Sequence, residues 1–195
     1  VYPERLLIYH AGTGKTTFLA FLQVTTLFLF GFFDMVVVPM YLAAGESLTT
    51  TAAIGLCGLI PPLFVTTTTT PVVAAIHLHL PPYARTGRPI LERYARTAPP
   101  ATTRLDVTTI SVIGKPRVSS LVVSDLSPVK KGSVLGLVAN LARDVRRVEE
   151  GRKWWRWRPV RRFNVIEGGQ EGAKEGWVWG VVREGVERRA RVGKV

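Results

Sequence analysis

Hydrophobic and polar positions divide the chain into two unlike parts. Residues 16 to 42 read TTFLAFLQVTTLFLFGFFDMVVVPMYL, and a second run from 49 to 80 continues through Pro61, Pro62 and Pro71 without a charged side chain. At about 1.5 Å per residue, either run is long enough to cross about 30 Å of hydrocarbon with some tilt. Between them AAGESL (43 to 48) supplies Gly45 and Glu46, which predicts a short wet turn. The pattern therefore predicts a two-helix transmembrane hairpin over 16–80, with spans at about 16–42 and 51–80, the second kinked by its prolines. Neighbouring helices and hydroxyls can satisfy the carbonyls that proline frees, and the threonines at 66 to 70 offer such hydroxyls just before Pro71. A buried hairpin in a soluble protein is the bland alternative, but soluble helices of this length usually show a charged face.

Beyond the apolar region the pattern changes. After a Pro- and Arg-rich exit segment (81 to 97, with Tyr83 and Tyr94 as interfacial anchors) and the ProPro break at 99 and 100, partial alternation over 105–112 and a β-branched run over 118–126 predict a β-hairpin turning at Gly114 and Lys115. Residues 133–148 show helical spacing, with Leu135, Val138, Leu141, Ala142 and Val145 apolar. Two further strands are expected at 154–166 and 177–183, separated by a glycine-rich segment. The fold class is thus a membrane protein: a transmembrane hairpin followed by a small α+β soluble domain, divided as a segment 1–15, the hairpin 16–80 and a basic domain 81–195.

Charge sharpens this division. From 16 to 82 there is no Lys or Arg, and Asp34 and Glu46 are the acids. Before it stand Arg5, Lys15 and Glu4, so of 26 basic and 14 acidic residues the region from Tyr83 onwards keeps 24 and 11, an excess of 13 positive charges. Basic flanks stay on the side from which a protein is inserted. Arg5 and Lys15 on one side of the hairpin, and Arg85, Arg88, Arg93 and Arg96 on the other, predict both termini on the inner side. A start at Val1 is compatible with a removed targeting segment. Cys57 is the single cysteine, so there is no disulfide framework.

Candidate chemistry is sparse. AGTGKTT (11 to 17) after RLLIY ends like a phosphate-binding loop, but the glycine needed five residues before Gly14 is Tyr9. His77 and His79, read on a helix, point about 200° apart and cannot share a metal, so an interfacial place suits them better. Asp34 inside a span costs roughly 2.5–3.5 kcal/mol on insertion scales and is expected to face the second helix or sit near a polar defect, in a packing role rather than a proton relay. No catalytic constellation stands out and no cofactor is expected. The strongest feature is basic and aromatic: between 143 and 162, RKWWRWR interleaves tryptophans with cations. The candidate RNA- or ribosome-binding residues are Arg143, Arg146, Arg147, Arg152, Lys153, Arg156, Arg158, Arg161 and Arg162, able to contact phosphates while Arg and Trp stack on bases. The alternative is a core of tryptophans with a solvated or lipid-headgroup-facing cationic side.

Several short motifs then occur in one order: LIYHAG (7 to 12), two spans, ThrPro at 70 and 71, RLDVTTI (104 to 110), GKPR (114 to 117) and VVSDLSP (122 to 128). Over roughly residues 5 to 130 this order resembles the mitochondrial inner-membrane family of transmembrane proteins 70, 186 and 223, most of all the 223 branch with its fungal mitoribosome-receptor relatives. The resemblance implies a multi-pass inner-membrane protein with both termini in the matrix. Its implied partners are the large mitoribosomal subunit (rRNA and proteins), membrane lipid, and the insertase with nascent or unassembled respiratory subunits. It implies a receptor that assists co-translational insertion and respiratory-chain biogenesis, or else an assembly factor for a respiratory complex or ATP synthase membrane subunit. It implies no catalytic residues.

Overall fold

The computed structural model describes residues 1–97, 102–129, 139–145, 159–168 and 172–192. The chain divides into two compact units, one of Val1–Thr13, Pro71–Thr109 and Arg117–Val195, the other of Gly14–Thr70 and Ile110–Pro116.

The helical unit contains α1 (Thr13–Phe32), a π-helical turn (Phe33–Val37), α2 (Val38–Ala43) and α3 (Leu48–Thr69). The first three run on as one apolar rod, Thr13–Ala43, and this rod and α3 are each long and apolar enough to cross a membrane. Gly45, at φ +74°, turns the chain between them. Ser47 caps α3 by accepting from the Thr50 N–H (3.2 Å), which satisfies one of the helix's orphan donors. Within the pair, Gln23 Nε2 donates to Thr69 Oγ1 at 2.6 Å. Eleven residues further along the rod, Asp34 lies against Gly58, which is eleven residues back along α3. Two antiparallel helices are thereby held in one register over about 16 Å.

The second run ends earlier than its lack of charge predicts. α3 stops at Thr69, and Val73–His79 is a strand rather than the end of a span over 51–80. The cause is local. Thr70 is still helical in backbone (φ −55°, ψ −38°) and donates to the Thr66 carbonyl, but Pro71 lacks an N–H with which to continue the ladder, and beyond it buried Val73, Ile76 and Leu78 share the strand with the less buried His77 and His79. The threonine hydroxyls serve the final turn: Thr67 and Thr68 donate to the Phe64 carbonyl, Thr69 to Val65 and Thr70 to Thr66.

The other unit is built on a four-stranded sheet in the order β1 (Arg5–His10), β2 (Val73–His79), β3 (Arg104–Ile110), β4 (Pro116–Val122). β1 and β2 pair antiparallel, Arg5 with His79 and Leu7 with His77, with a bulge before Tyr9. Of the expected N-terminal segment 1–15, Arg5–His10 is therefore an edge strand of the same sheet and residues 13–15 already belong to α1, and the helical hairpin is an excursion between two adjacent strands rather than a module ahead of the domain. β3 and β4 form the expected hairpin, closed by Gly114 N–H to the Ser111 carbonyl (2.9 Å). Gly114 has φ +75°, and a Cβ there would also come within 3.2 Å of the Ala20 carbonyl, so a glycine is required twice over.

A second antiparallel sheet joins β5 (Leu126–Pro128), β6 (Leu141–Arg143) and β7 (Arg162–Phe163). This corrects the helix expected over 133–148 at residues 141–143; residues 133–138 and 146–148 lie outside the described residues. The reason sits next door. Asn140 presents its side-chain amide to the backbone of Val165, accepting at 2.9 Å and donating at 2.6 Å, and so extends the ladder as a peptide group would. Of the strand expected over 154–166, Arg162 and Phe163 are β and 154–158 lie outside the described residues. The strand expected over 177–183 is instead part of α5 (Trp177–Val192). Its buried positions, Val178, Trp179, Val182 and Val186, recur with helical period, and Arg183–Glu187 and Glu184–Arg188 pair four residues apart.

α5 and α4 (Arg88–Thr97) contribute Val178, Trp179, Val182 and Leu91 to a core shared with Ile8, Tyr9, Ile76, Leu78, Leu105 and Leu121 of the sheet. Tyr9 is 1% exposed, packs tilted on Trp179 with ring centroids 6.3 Å apart, and its hydroxyl both donates to the Ile166 carbonyl (3.0 Å) and accepts from the Ile166 N–H (3.1 Å).

Candidate nucleic-acid interface

Of the nine basic residues expected to contact RNA, Arg146, Arg147, Arg152, Lys153, Arg156 and Arg158 lie outside the described residues, and the remaining three do not share one environment. Arg161 and Arg162 are exposed at β7. Arg143 is half-buried on β6, its Nη2 donating to the Ser120 carbonyl at 3.0 Å and its backbone N–H to the Arg161 carbonyl at 2.8 Å. Burial lowers its guanidinium pKa, which the carboxylate of Asp125 partly opposes. This arginine therefore ties the second sheet to β4, and its charge reaches solvent less freely than those of its two neighbours.

α5 adds a cationic surface that a strand over 177–183 would not have placed there. Arg183 pairs with Glu187 and Glu167, Arg188 with Glu184, and Arg189 donates to the Gly185 and Val123 carbonyls. Arg191 is exposed in the last turn, where a cation also suits the helix dipole. The helical spacing of the apolar positions between 178 and 186 is the signal that finds this helix.

A different cluster was missed because its members are far apart in sequence. One polar residue from each strand of the four-stranded sheet meets at Asp106, which is 6% exposed. Arg5 of β1 reaches Asp106 Oδ2 at 2.7 Å, His79 of β2 reaches the same oxygen at 2.9 Å, and Ser120 of β4 donates to Oδ1 at 2.6 Å. Burial alone raises the Asp106 pKa, but the hydrogen bonds from Ser120 and His79 and the positive charges beside it outweigh burial and hold the carboxyl below its usual value. His77 is the register partner of Asp106. Its pKa is lowered, first by burial and then by Arg5. Strand geometry puts His77 and His79 on one face of the sheet, which replaces the divergent arrangement expected from a helix. The arrangement is a charge-satisfied brace across four strands, with Asp106 accepting from Ser120 and paired with Arg5 and His79. No group of three or more His, Cys, Asp or Glu suited to a metal occurs among the described residues. Beside the brace a groove of about 580 Å³ is lined by Glu4, His79, Tyr83, Arg85, Tyr94 and Arg104 among others. Tyr83 and Tyr94 meet edge to face there.

Comparison of the chain with protein-family models, with curated proteins and with solved structures finds no match.

Proposed function

We propose that this chain is a membrane-anchored mitoribosome receptor, held in the inner membrane by its helical hairpin and presenting a basic α+β domain to ribosomal RNA on the matrix side. The observation that carries the anchoring is the bareness of the helices. Only 11% of the most apolar window of the rod and 22% of that of α3 are buried, and Phe18, Phe21, Phe28, Phe32, Met35, Ile60, Leu63 and Phe64 are all more than half exposed. A core helix of a soluble protein covers such side chains, whereas lipid solvates them. The pairing of β1 with β2 supports termini on one side, because both flanks of the hairpin belong to a single sheet.

For the partner, the support is an excess of 13 positive charges from Tyr83 onwards, with Arg161, Arg162 and Arg191 exposed, together with the motif order that resembles the mitoribosome-receptor branch. A basic surface close to a membrane is suited to phosphate contacts, and these are released steeply by salt. The test is sedimentation of detergent-solubilised membranes through sucrose at rising salt, following the protein against large-subunit markers. Co-migration at low salt that is lost as salt rises is the expected result. Absence from ribosomal fractions at low salt overturns the receptor reading, and an assembly factor for respiratory or ATP synthase membrane subunits, with its basic domain on anionic lipid, then takes its place.

A further inference from the structure

Asp34 is the second residue of the π-helical turn Phe33–Val37, the one irregular stretch of the long rod. Such turns insert a residue into the helical ladder and are frequent at functional sites. Opposite stand Gly55 and Gly58 of α3. A Cβ at Gly58 would collide with Asp34 Oδ2 and with Phe33 Cβ, and one at Gly55 would lie 3.4 Å from Oδ1. The glycines thus admit the carboxyl group to the seam but bring no side-chain donor to it. Among the described residues Oδ2 is buried there without a hydrogen-bond partner; at the next contact along the seam Gln23 Nε2 finds Thr69, while Gln23 Oε1 is likewise buried without one. Asp34 as a residue is only partly buried, and its neighbour Met35 is exposed.

The apolar stretch that surrounds Asp34 holds no counter-charge. No Lys or Arg occurs between residues 16 and 82, and Lys15 at the start of α1 stands nineteen residues before Asp34, about 28 Å along the rod. A second copy has the same cation-free spans, so self-association brings acid to acid.

On the reading that the hairpin spans the membrane, we propose that Asp34 is the docking point for a transmembrane helix of a different protein, one carrying a lysine or arginine within its span. In hydrocarbon a cation on such a helix is itself costly, and a charge-assisted hydrogen bond to Asp34 satisfies both groups at once. The glycines at 55 and 58 keep α3 from crowding the carboxyl.

The test uses the full chain in phosphatidylcholine vesicles, with a donor fluorophore at its C-terminus. The probes are acceptor-labelled transmembrane peptides of one leucine-alanine host sequence that differ at a single central residue, Lys, Asn or Leu. The Lys peptide is expected to associate about tenfold more tightly than the Leu host, and Asp34→Asn is expected to remove that preference while helix content by circular dichroism stays the same. Equal association of Lys and Leu peptides with the unaltered chain overturns the proposal without reference to any variant. A Lys preference that survives in Asp34→Asn, or an Asn peptide that binds as tightly as Lys, overturns it as well. Failure of the chain to float with the vesicles overturns instead the spanning reading on which the proposal rests.

Discussion

Asp106 is held by one donor from each of the other three strands, and its carboxyl lies below its usual value of 3.8. A depressed carboxyl contributes stability above its unfolded pKa and loses it as pH falls through the folded one. The pKa of His77 is also depressed, from 6.5; its contribution is present above 6.5 and fades as pH drops through the lower folded value. Both signs agree, so the sheet unit is expected to weaken in two steps on acidification, one beginning below 6.5 and one below 3.8. The midpoint of urea unfolding against pH checks this. Asp106→Asn is expected to flatten the lower step and, near neutral pH, to cost about 1–3 kcal/mol by breaking charged hydrogen bonds. At Gly58 an added methyl meets Phe33 Cβ at 2.7 Å, so Gly58→Ala is expected to destabilise the hairpin by about 1–3 kcal/mol through overpacking. Thermal unfolding in detergent, followed by helical circular dichroism, reads that loss.

Among the elements, charge reversal of Arg161 and Arg162, both exposed at β7, is expected to reduce ribosome co-sedimentation and the steepness of its salt dependence. The same change at Arg143 is expected also to lower stability, because its guanidinium holds the Ser120 carbonyl; unfolding midpoints measured alongside sedimentation separate the two effects. What could be read from sequence follows the same division between local and distant causes. The two apolar helices, the turn at Gly45 and the β3–β4 hairpin were legible because periodicity, length and turn glycines are local signals. The end of α3 was not, because absence of charge says nothing about where a span gives way to a buried strand; Pro71 and the His77, His79 spacing were the better guides. β6 was hidden by a helical coincidence in Leu141, Ala142 and Val145, and its pairing depends on Asn140 bonding to Val165, a contact between distant residues. The Asp106 brace was illegible for the same reason, since Arg5, His79 and Ser120 become neighbours only once the strands pair.

At the scale of the whole molecule, the hairpin is the connection between β1 and β2. Replacing residues 12 to 71 with a short Gly-Ser linker is therefore expected to yield a folded, detergent-free sheet unit that no longer floats with vesicles. Removing residues 1 to 10 is expected to leave the helices intact while the unit unfolds, with Tyr9 and its contacts to Ile166 and Trp179 lost. Circular dichroism and vesicle flotation of the two variants check both outcomes. The placement of β1 also sets an order of events during synthesis. Its partner strand emerges only after both apolar helices have been made, and joining strands so far apart in sequence is slow unless the intervening chain is already folded back on itself. A formed helical hairpin shortens that search to the few residues at its base. On the proposed reading that the hairpin spans a membrane, completion of the sheet is tied to pairing of the helices, and a chain whose helices have not paired is expected to keep β2 unzipped along the edge that β1 covers.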